Sequence, residues 1–353
     1  MTRAPRRVTQ ADLASRAGVS RSCVSRVLRG LDKVSDDKRE RVQEAARELG
    51  YIDNGLATAL AGNRRSRLVG FFPQEIANGV FSDVYHGLKS VLEPHGHRLV
   101  VVEGDFDAGQ EDVRLRELVS LAPDCIVVAG YAGSTEALRA SARSIPIVSV
   151  TRRIEQDGVV SVDGDDRAGA AIAVGHLVDL GHTRIAHLRL PASIPYEERA
   201  DGYVAAMQRA GLEPSIITPR AATPDAAYAA VRGIWAQSDH PTAIFCGSDH
   251  MAFGVLAALE DEHVSVPGEV SVIGYDDQLV SRAVGLTTVS QHVVEQGRLA
   301  GVLTCALLNA SAASGDDEPD RPESRRRVPP TLVERRTTGP RRPEDLRSAG
   351  VAR

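Results

Sequence analysis

A short predicted helix near the start of the chain carries arginine and serine on one face. Over residues 20–28 the apolar side chains are spaced to be buried on one side. The opposite face presents Arg21, Ser22, Ser25 and Arg26. The DNA major groove admits an α-helix, and arginine hydrogen-bonds to guanine edges. This pattern favours base reading, although an ordinary helical hairpin with a solvated basic face would show the same local pattern.

Two further helices and a tight turn are predicted to position this face. Thr9 is expected to cap a first helix whose apolar residues bury one side. Gly18 lies in the turn, where the chain leaves the helix and glycine can adopt a positive φ. Ser20 is expected to cap the second helix. Ser35 and Gly50 are expected to bound a third helix. Three helices in about 45 residues are enough for a compact head.

Charge is divided unevenly between this head and the rest of the chain. Residues 1–70 carry 15 Lys and Arg against 8 Asp and Glu, whereas the remainder carries 27 against 39. A basic head on an acidic body indicates that only the head meets a polyanion. Double-stranded DNA is therefore the expected macromolecular partner.

Cysteine spacing and hydropathy restrict the compartment. Cys23, Cys125, Cys246 and Cys305 lie far apart, so reduced thiols are expected rather than a zinc site or a disulfide framework. No apolar run approaches the roughly 20 residues of a membrane span, and the basic N-terminus leads into a polar helix rather than a signal core. We therefore expect a cytoplasmic protein without a membrane partner.

Beyond residue 67, short apolar runs alternate with helical patterns. Buried runs separated by helices predict parallel sheets covered on both faces, and about eight such units favour two lobes with a ligand cleft at the carboxyl ends of the strands. The predicted strands are 68–72, 98–102, 125–129, 147–150, 185–188, 243–246 and 270–273. The predicted helices are 83–92, 112–121, 168–180, 198–210, 226–237 and 250–262.

Polar residues follow two of these predicted strands. Ser248 and Asp249 come after the strand 243–246, and Asp276 comes after the strand 270–273. At a carboxyl end, a carboxylate can accept hydrogen bonds from ligand hydroxyls. Helix capping and salt bridging explain the same residue types, and that alternative applies most to Ser248 and Asp249.

Several motifs resemble the LacI/GalR family of bacterial transcription regulators. In the head they are Asp12-Leu-Ala-Ser-Arg-Ala-Gly-Val-Ser, Val24-Ser-Arg-Val-Leu, Leu49-Gly-Tyr-Ile and Leu60-Ala-Gly. In the body they include Leu180-Gly-His-Thr-Arg-Ile-Ala, Arg199-Ala-Asp-Gly-Tyr, Pro241-Thr-Ala-Ile-Phe and Val266-Pro-Gly-Glu-Val-Ser-Val-Ile-Gly-Tyr-Asp-Asp. The resemblance covers residues 8 to about 339. It implies an N-terminal all-α helix-turn-helix head plus an α/β two-lobed periplasmic-binding-protein-like (type I) effector domain.

The resemblance also implies a division of the chain. Residues 1–52 form the helix-turn-helix DNA-binding domain, and 53–67 the hinge helix and linker. Residues 68–339 form the two-lobed ligand-binding and dimerisation domain, with a mobile loop predicted at 311–325 and a closing strand within 327–339. Residues 340–353 are a predicted disordered tail without a leucine heptad, so a homodimer is expected rather than a tetramer.

The DNA contacts that the resemblance implies extend into the hinge. Arg21, Ser22 and Arg26 occupy base-reading positions, and Arg6, Arg7 and Arg29 meet phosphates. Residues 54–61 form a minor-groove hinge helix in which Leu60 wedges between base pairs. Asp53 and Gly55 depart from the family pattern and weaken this hinge. The residues expected to contact DNA are Thr9, Arg21, Ser22, Ser25, Arg26, Arg29, Asn54, Ala57 and Leu60.

For the ligand, the resemblance places Arg199 at a position facing the cleft, where it could fork onto two hydroxyls or a carboxylate. Phe81 matches the second aromatic of the family's NPFF motif. The expected ligand-binding residues are Asn78, Phe81, Arg199, Ser248, Asp249 and Asp276. Several positions depart from the family. NPFF loses one aromatic and its proline, and the aromatic often found near Ala222 is missing. Thr151 replaces an aspartate, and Ser248 replaces an asparagine. A sugar, a nucleoside and a small acid all remain open as ligands.

The expected function is that of a ligand-responsive repressor on a pseudo-palindromic operator. The ligand would act as inducer or as corepressor. A solute receptor that acts through a protein partner is the rival class. An enzyme is not expected, because no GxGxxG follows the first strand and no GxxxxGK[ST] or GxSxG occurs. No cofactor is expected, and His95-Gly-His97 lacks the carboxylate or cysteine pattern that would support a metal site.

Overall fold

The chain divides into two compact units, Met1–Ser66 and Arg67–Arg353. A computed structural model describes residues 8–28, 34–51, 66–105, 107–190, 196–236, 240–310 and 324–341. Within these ranges, no helix is both long and apolar enough to cross a membrane.

The first unit contains the three predicted helices. They are α1 (Gln10–Ala17), α2 (Arg21–Leu28) and α3 (Asp36–Leu49). Leu13, Val24 and Val42, one residue from each helix, are completely buried together. Ser35 precedes α3 as predicted, but its side chain makes no capping hydrogen bond. Gly50 ends the helix at φ 60°, a conformation that glycine adopts without steric cost.

The second unit contains two six-stranded sheets and the helices that cover them. The strands are β1 (Leu68–Pro73), β2 (Arg98–Val101), β3 (Cys125–Ala129), β4 (Ile147–Val150), β5 (Val159–Gly164), β6 (Ile185–Leu188), β7 (Ser215–Ile217), β8 (Ala243–Cys246), β9 (Ser271–Asp276), β10 (Thr287–Ser290), β11 (Arg325–Val328) and β12 (Thr331–Val333). The helices are α4 (Gly79–Leu92), α5 (Ala108–Ser120), α6 (Thr135–Ala142), α7 (Asp166–Asp179), α8 (Tyr196–Arg209), α9 (Pro224–Trp235), α10 (Asp249–Asp261), α11 (Leu279–Val284) and α12 (Val293–Ala310).

Each sheet forms the centre of one lobe. The first lobe has the strand order β11-β5-β4-β3-β1-β2, with every neighbouring pair parallel. The second lobe has the order β12-β10-β9-β8-β6-β7, in which only the β12–β10 pair is antiparallel. The chain therefore passes between the lobes after β5, after β10 and after β11. These crossings place the carboxyl ends of both sheets at one cleft.

Both sheets are buried, as parallel sheets covered by helices must be. In the first lobe α12 packs along α4 at very short range. A Cβ on Gly87 would lie 2.2 Å from the carbonyl oxygen of Val294, and one on Gly297 would lie 2.3 Å from that of Val84. Any larger residue at either glycine would separate the two helices.

The structure extends the predicted set of elements. Four predicted strands match to the residue, at 125–129, 147–150, 185–188 and 243–246. Sequence patterns missed β5, β7, β10, α6, α11 and α12. The closing segment predicted as one strand is two strands, because β11 joins the first lobe and β12 joins the second. Arg325, placed in the predicted loop, begins β11.

Other predictions fall on residues outside those described. These are the hinge helix 54–61, the loop through 323 and the tail from 342 onward. Arg341, assigned to the tail, donates from its backbone N–H to the carbonyl of Leu180 at 2.9 Å. The described fold therefore continues to Arg341.

Candidate functional site

Side-chain caps stabilise the N-termini of both α1 and α2. The Asp12 N–H donates to Thr9 Oγ1 at 3.3 Å, and the Thr9 N–H donates to the Asp12 carboxylate at 2.8 Å. This reciprocal capping box satisfies two N–H groups that a helix start leaves unpaired. Gly18 ends α1 at φ 65°, and the Cys23 N–H donates to Ser20 Oγ at 3.2 Å.

Helix α3 contacts the residues on either side of the start of the turn between α1 and α2. The Arg41 guanidinium on α3 donates through Nη2 to the carbonyl of Ala17 at 2.5 Å. Arg16 and Glu48 form an ion pair between α1 and α3. These contacts join α3 to α1 beside the turn that leads into α2, and the shared core of the three helices holds α2 itself in place, as a helix that reads bases requires.

The outward face of α2 has the predicted composition. Val24 and Val27 are buried, Ser25 is half-buried, and Arg21, Ser22 and Arg26 are exposed. Among the described residues, neither Arg21 nor Arg26 takes part in an ion pair. A rigid helix therefore presents two guanidinium groups and a hydroxyl to the solvent.

The remaining residues predicted to contact DNA are placed differently. Thr9 is exposed but holds the α1 cap, so a phosphate contact must share its hydroxyl. Arg29, Asn54, Ala57 and Leu60 lie outside the described residues. Their roles stay predictions.

The cleft of the second unit is lined by charged groups from both lobes. A cavity of about 170 Å³ lies between Thr151 and Asp163 of the first lobe and Asp166 and Glu198 of the second, with Arg152, Arg153 and Glu155 completing its wall. Thr151 follows β4 at φ 66°, a conformation that β-branched residues rarely adopt. The strand ends thus bring acids and arginines together at a cleft between two lobes, the arrangement that the alternating pattern predicted.

Arg199 is almost completely buried in an ion pair with Asp166. Its Nε and Nη2 donate to Asp166 Oδ1 at 2.9 and 2.7 Å, and its Nη1 donates to the carbonyl of Gly247. The guanidinium carbon lies 3.6 Å from the centroid of the Tyr275 ring. Only 2% of the Arg199 side chain and 5% of the Asp166 side chain are exposed. The guanidinium is therefore held in one orientation beside the strand ends.

Asp276 ends β9 with its carboxyl group nearly buried. Gln291 Nε2 donates to Asp276 Oδ1 at 2.5 Å. Burial raises the pKa of Asp276 to about 8, while the positive charge of Arg199 acts in the opposite direction. The raised pKa favours the protonated form, in which the carboxyl presents an O–H donor as well as acceptor oxygens.

Ser248 and Asp249 hold other parts of the second lobe. Ser248 caps α10 by accepting from the Met251 N–H at 3.2 Å. The fully buried Asp249 carboxylate accepts from Ser281 Oγ at 2.6 Å, from Thr288 Oγ1 at 2.5 Å and from the Gln278 N–H at 2.9 Å. Both side chains have the capping and bracing contacts that were left open as alternatives to ligand binding.

Asn78 and Phe81 lie at the start of α4 in the first lobe. Asn78 Oδ1 accepts from the Val80 N–H at 3.1 Å and from Gln278 Nε2 of the second lobe at 3.2 Å. Phe81 is 4% exposed and belongs to the apolar core of the first lobe. A Cβ on Gly130 would lie 2.7 Å from its Cζ, so the ring packs directly behind the end of β3.

Several residues that sequence patterns did not single out contribute to the cleft. Asp166, Tyr275 and Gln291 contact the predicted ligand residues directly. Glu111 of α5 accepts from the Ala132 N–H at 2.6 Å, and burial raises its pKa to about 7. The run of acids at 163–166 and the tyrosine before Asp276 were visible in the sequence, but their partners lie tens of residues away.

Comparison with known protein families matches both units. Residues 9–54 match the model for bacterial regulatory proteins of the lacI family, and residues 174–338 match the model for a periplasmic binding protein-like domain. Within the described residues, no three His, Cys, Asp or Glu side chains come together as candidate metal ligands.

Individual proteins are similar over nearly the whole chain. The transcriptional regulator GalR of Escherichia coli K12 is 31% identical over 330 residues, covering 92% of this chain and 94% of that protein. A solved structure of the lac repressor dimer bound to operator and the anti-inducer ONPF is 26% identical, with a TM-score of 0.78 and coverage of 95% and 100%. A complex of the regulator CelR with cellobiose is 28% identical, with a TM-score of 0.66 and coverage of 94% and 100%.

Proposed function

The chain belongs to the LacI family of bacterial transcriptional regulators, and we propose that it is a repressor whose affinity for its operator is set by a small molecule bound between its two lobes. The exposed face of α2 carries this proposal, because Arg21, Ser22 and Arg26 stand on a helix that caps and core contacts hold rigidly. A dimer would place two such helices on a pseudo-palindromic operator. The protein would act in the cytoplasm.

In the proposed complex, base contacts and backbone contacts come from different residues. Arg21, Ser22 and Arg26 read base edges in the major groove, with Ser25 beside them. Thr9 and Arg29 meet phosphates at the flanks of α2. The segment from Asn54 through Ala57 to Leu60 enters the minor groove between the two heads, where a leucine wedge exchanges base stacking for a bend.

The proposed effector site is centred on Arg199 and Asp276. Arg199 is stacked on Tyr275 and oriented by Asp166, so its donors point in a fixed direction. Asp276 adds a carboxyl that can donate or accept. The proposed site also includes four residues that support it through capping and packing contacts. These are Asn78, Phe81, Ser248 and Asp249. Paired donors and acceptors of this kind suit a polyhydroxylated or nucleoside-like molecule.

An exposed apolar surface in the second lobe would form the interface of the proposed homodimer. Helix α11 exposes Leu279, Val280 and Val284, with 76%, 51% and 42% of each residue accessible. Three exposed apolar side chains on one short helix are costly in water and mark an interaction surface. A two-fold axis near α11 would bring the same face of a second copy against it.

A DNA titration tests the proposal directly. The full chain is titrated into labelled duplexes from its own upstream region, with a scrambled duplex of equal length as control, at several salt concentrations. Specific binding predicts a large preference for one near-palindromic duplex and an affinity that falls steeply with salt. Equal affinity for the scrambled duplex would contradict the proposed base reading.

A thermal-shift screen tests the effector site separately. The panel contains cellobiose and other sugars, polyols, sugar phosphates, nucleosides, purines and small acids. A ligand at about 100 times its dissociation constant adds about 2.7 kcal/mol of stability and raises the melting temperature. A hit is then added to the operator complex, where release shows an inducer and tightening shows a corepressor. A well-folded protein with no hit in any class would remove the assigned role of the cleft.

A further inference from the structure

Three consecutive residues, beginning with the last residue of β9, touch three different parts of the second unit. Asp276 lies in the proposed effector site and accepts a hydrogen bond from Gln291. Asp277 accepts from Arg335 Nη2 at 2.5 Å. The Gln278 side chain reaches across the cleft to the first lobe. We call the segment Asp276–Gln278 the elbow.

The backbone of the elbow is held in an unusual conformation. Asp276 has φ 126° and Asp277 has φ 60°, in a region that side-chain-bearing residues rarely adopt. Such conformations persist only where the surroundings fix them, and they concentrate at ligand sites and switch regions. The elbow is therefore a rigid connection that does not relax to an ordinary loop.

Asp249 makes several of the hydrogen bonds that hold the elbow in place. Its carboxylate is fully buried and accepts from the Gln278 N–H, from Ser281 Oγ and from Thr288 Oγ1. The same carboxylate thus holds the end of the elbow, the start of α11 and strand β10. A displacement at Asp276 cannot be absorbed at Gln278 without breaking these buried bonds, each of which is costly to leave unmade.

The contact across the cleft is equally specific. Gln278 Nε2 donates to Asn78 Oδ1 at 3.2 Å, and that oxygen also accepts from the Val80 N–H to cap α4. The next residue is Gly79, where a Cβ would lie 3.1 Å from Gln278 Oε1. The absence of a side chain there lets the glutamine amide lie against the helix start.

We propose that the elbow transmits the state of the effector site to the first lobe through the hydrogen bond between Gln278 and Asn78. Gln278 is then a positioning residue that sets the balance between lobe arrangements without touching the effector. The proposal rests on Asp276 belonging to the proposed effector site. A bond that forms in one lobe arrangement and breaks in another biases the equilibrium between them, which is the physical requirement for allosteric coupling.

A hydrogen-exchange cycle on the full chain tests the elbow without ligand or DNA. Amide exchange at residues 79–82, the first turn of α4, is compared among the wild type, Asp276→Asn, Gln278→Ala and the double variant. The Val80 N–H is a direct reporter, because it shares Asn78 Oδ1 with Gln278. Gln208→Ala, at an exposed glutamine on α8, is the matched control.

The expected result is a coupled effect. Asp276→Asn should change exchange at 79–82 by about threefold or more when Gln278 is present, and should have no effect there in the Gln278→Ala background. Asn78→Ser, which keeps a capping hydroxyl but is too short for the bond, should likewise abolish the effect. Gln278→Ala should leave exchange in the distant helix α9 unchanged.

Two outcomes would overturn the proposal. One is an Asp276→Asn effect that is the same in both backgrounds or absent from both. The other is a uniform rise in exchange across both lobes in Gln278→Ala, since that would make Gln278 only a contributor to stability. Neither outcome bears on operator binding or on the ligand screen. Conversely, a failed ligand screen with an intact exchange cycle would refute the effector site and leave the mechanical link.

Discussion

The buried ion pair between Arg199 and Asp166 gives the most quantitative prediction. Both side chains are at least 95% buried, and two guanidinium nitrogens of Arg199 donate hydrogen bonds to the same carboxylate oxygen of Asp166. Removing one partner of a buried pair costs about 3–5 kcal/mol because it leaves an uncompensated charge. Asp166→Asn keeps an acceptor oxygen but loses the charge, so we expect the lower end, about 3 kcal/mol.

A neighbouring, exposed ion pair provides the control. Arg167 and Asp201 join the same two helices, α7 and α8, at 2.7 Å, but their side chains are 56% and 58% exposed. Exposed pairs contribute about 0–1 kcal/mol because water screens the charges and side-chain ordering opposes the contact. Arg167→Ala should therefore leave stability nearly unchanged.

Urea unfolding followed by tryptophan fluorescence measures the difference. The chain contains one tryptophan, Trp235 on α9, so the signal reports on the second lobe that holds both pairs. The double variant Asp166→Leu/Arg199→Met should be less destabilised than the sum of its single changes, because no charge remains unpaired. The reasoning is refuted if Asp166→Asn unfolds at the same urea concentration as Arg167→Ala, or if the two single changes are additive.

Three other measurements address the titration of the cleft and the DNA interface. The pKa of Asp276 is about 8 in the fold and near 4 in an unfolded chain, so wild-type stability should fall between pH 5.5 and 8.5 more than that of Asp276→Asn, by urea midpoints. Arg26→Ala should lose about 1–3 kcal/mol on the operator and little on random DNA, with Arg47→Ala as the neutral control, and equal losses on both would remove it as a base reader. Leu60→Ala should reduce operator bending in a gel-phasing assay, and an unchanged bend angle would contradict the wedge.

The parts of the fold that were predictable are those with local causes. Uniformly apolar strands such as β3 and β8 are recognisable because burial on both faces requires such runs. Strand β5 was missed because it contains Ser161 and Asp163. Asp163 is acceptable in a sheet because it pairs with arginines far along the chain, chiefly with Arg325, 162 residues later. Helix α12 was missed because Gly297 and Gly301 lower helix propensity, and their reason is the close approach of α4.

The candidate site divides in the same way. Residue types at strand ends identified Asp276, and a motif identified Arg199, but neither pattern showed what these groups contact. The partner of Arg199 is Asp166, which lies just before the predicted helix 168–180, where an acid needs no other explanation. The connection between Asn78 and Gln278 spans 200 residues and two lobes, so no local pattern contains it.

The pH dependence of ligand affinity should indicate which kind of effector binds beside Asp276. A ligand that carries a positive charge, or that donates hydrogen bonds to both carboxylate oxygens, favours the ionised form of Asp276, so its binding below pH 8 is coupled to the release of a proton. Its affinity should rise by up to tenfold per pH unit until about pH 8 and then level off, given the raised pKa of Asp276. A ligand that accepts a hydrogen bond from the neutral acid should instead lose affinity above pH 8.

The slope is measured by calorimetry at pH 6, 7 and 8.5 with any hit from the ligand screen. In Asp276→Asn the slope should vanish, because the amide has no proton to release. Glu111→Gln, which removes the other carboxyl whose pKa is raised to about 7, tests whether the slope belongs to the second lobe or to the first. A slope that persists in Asp276→Asn and disappears in Glu111→Gln would move the effector contact across the cleft to the end of β3.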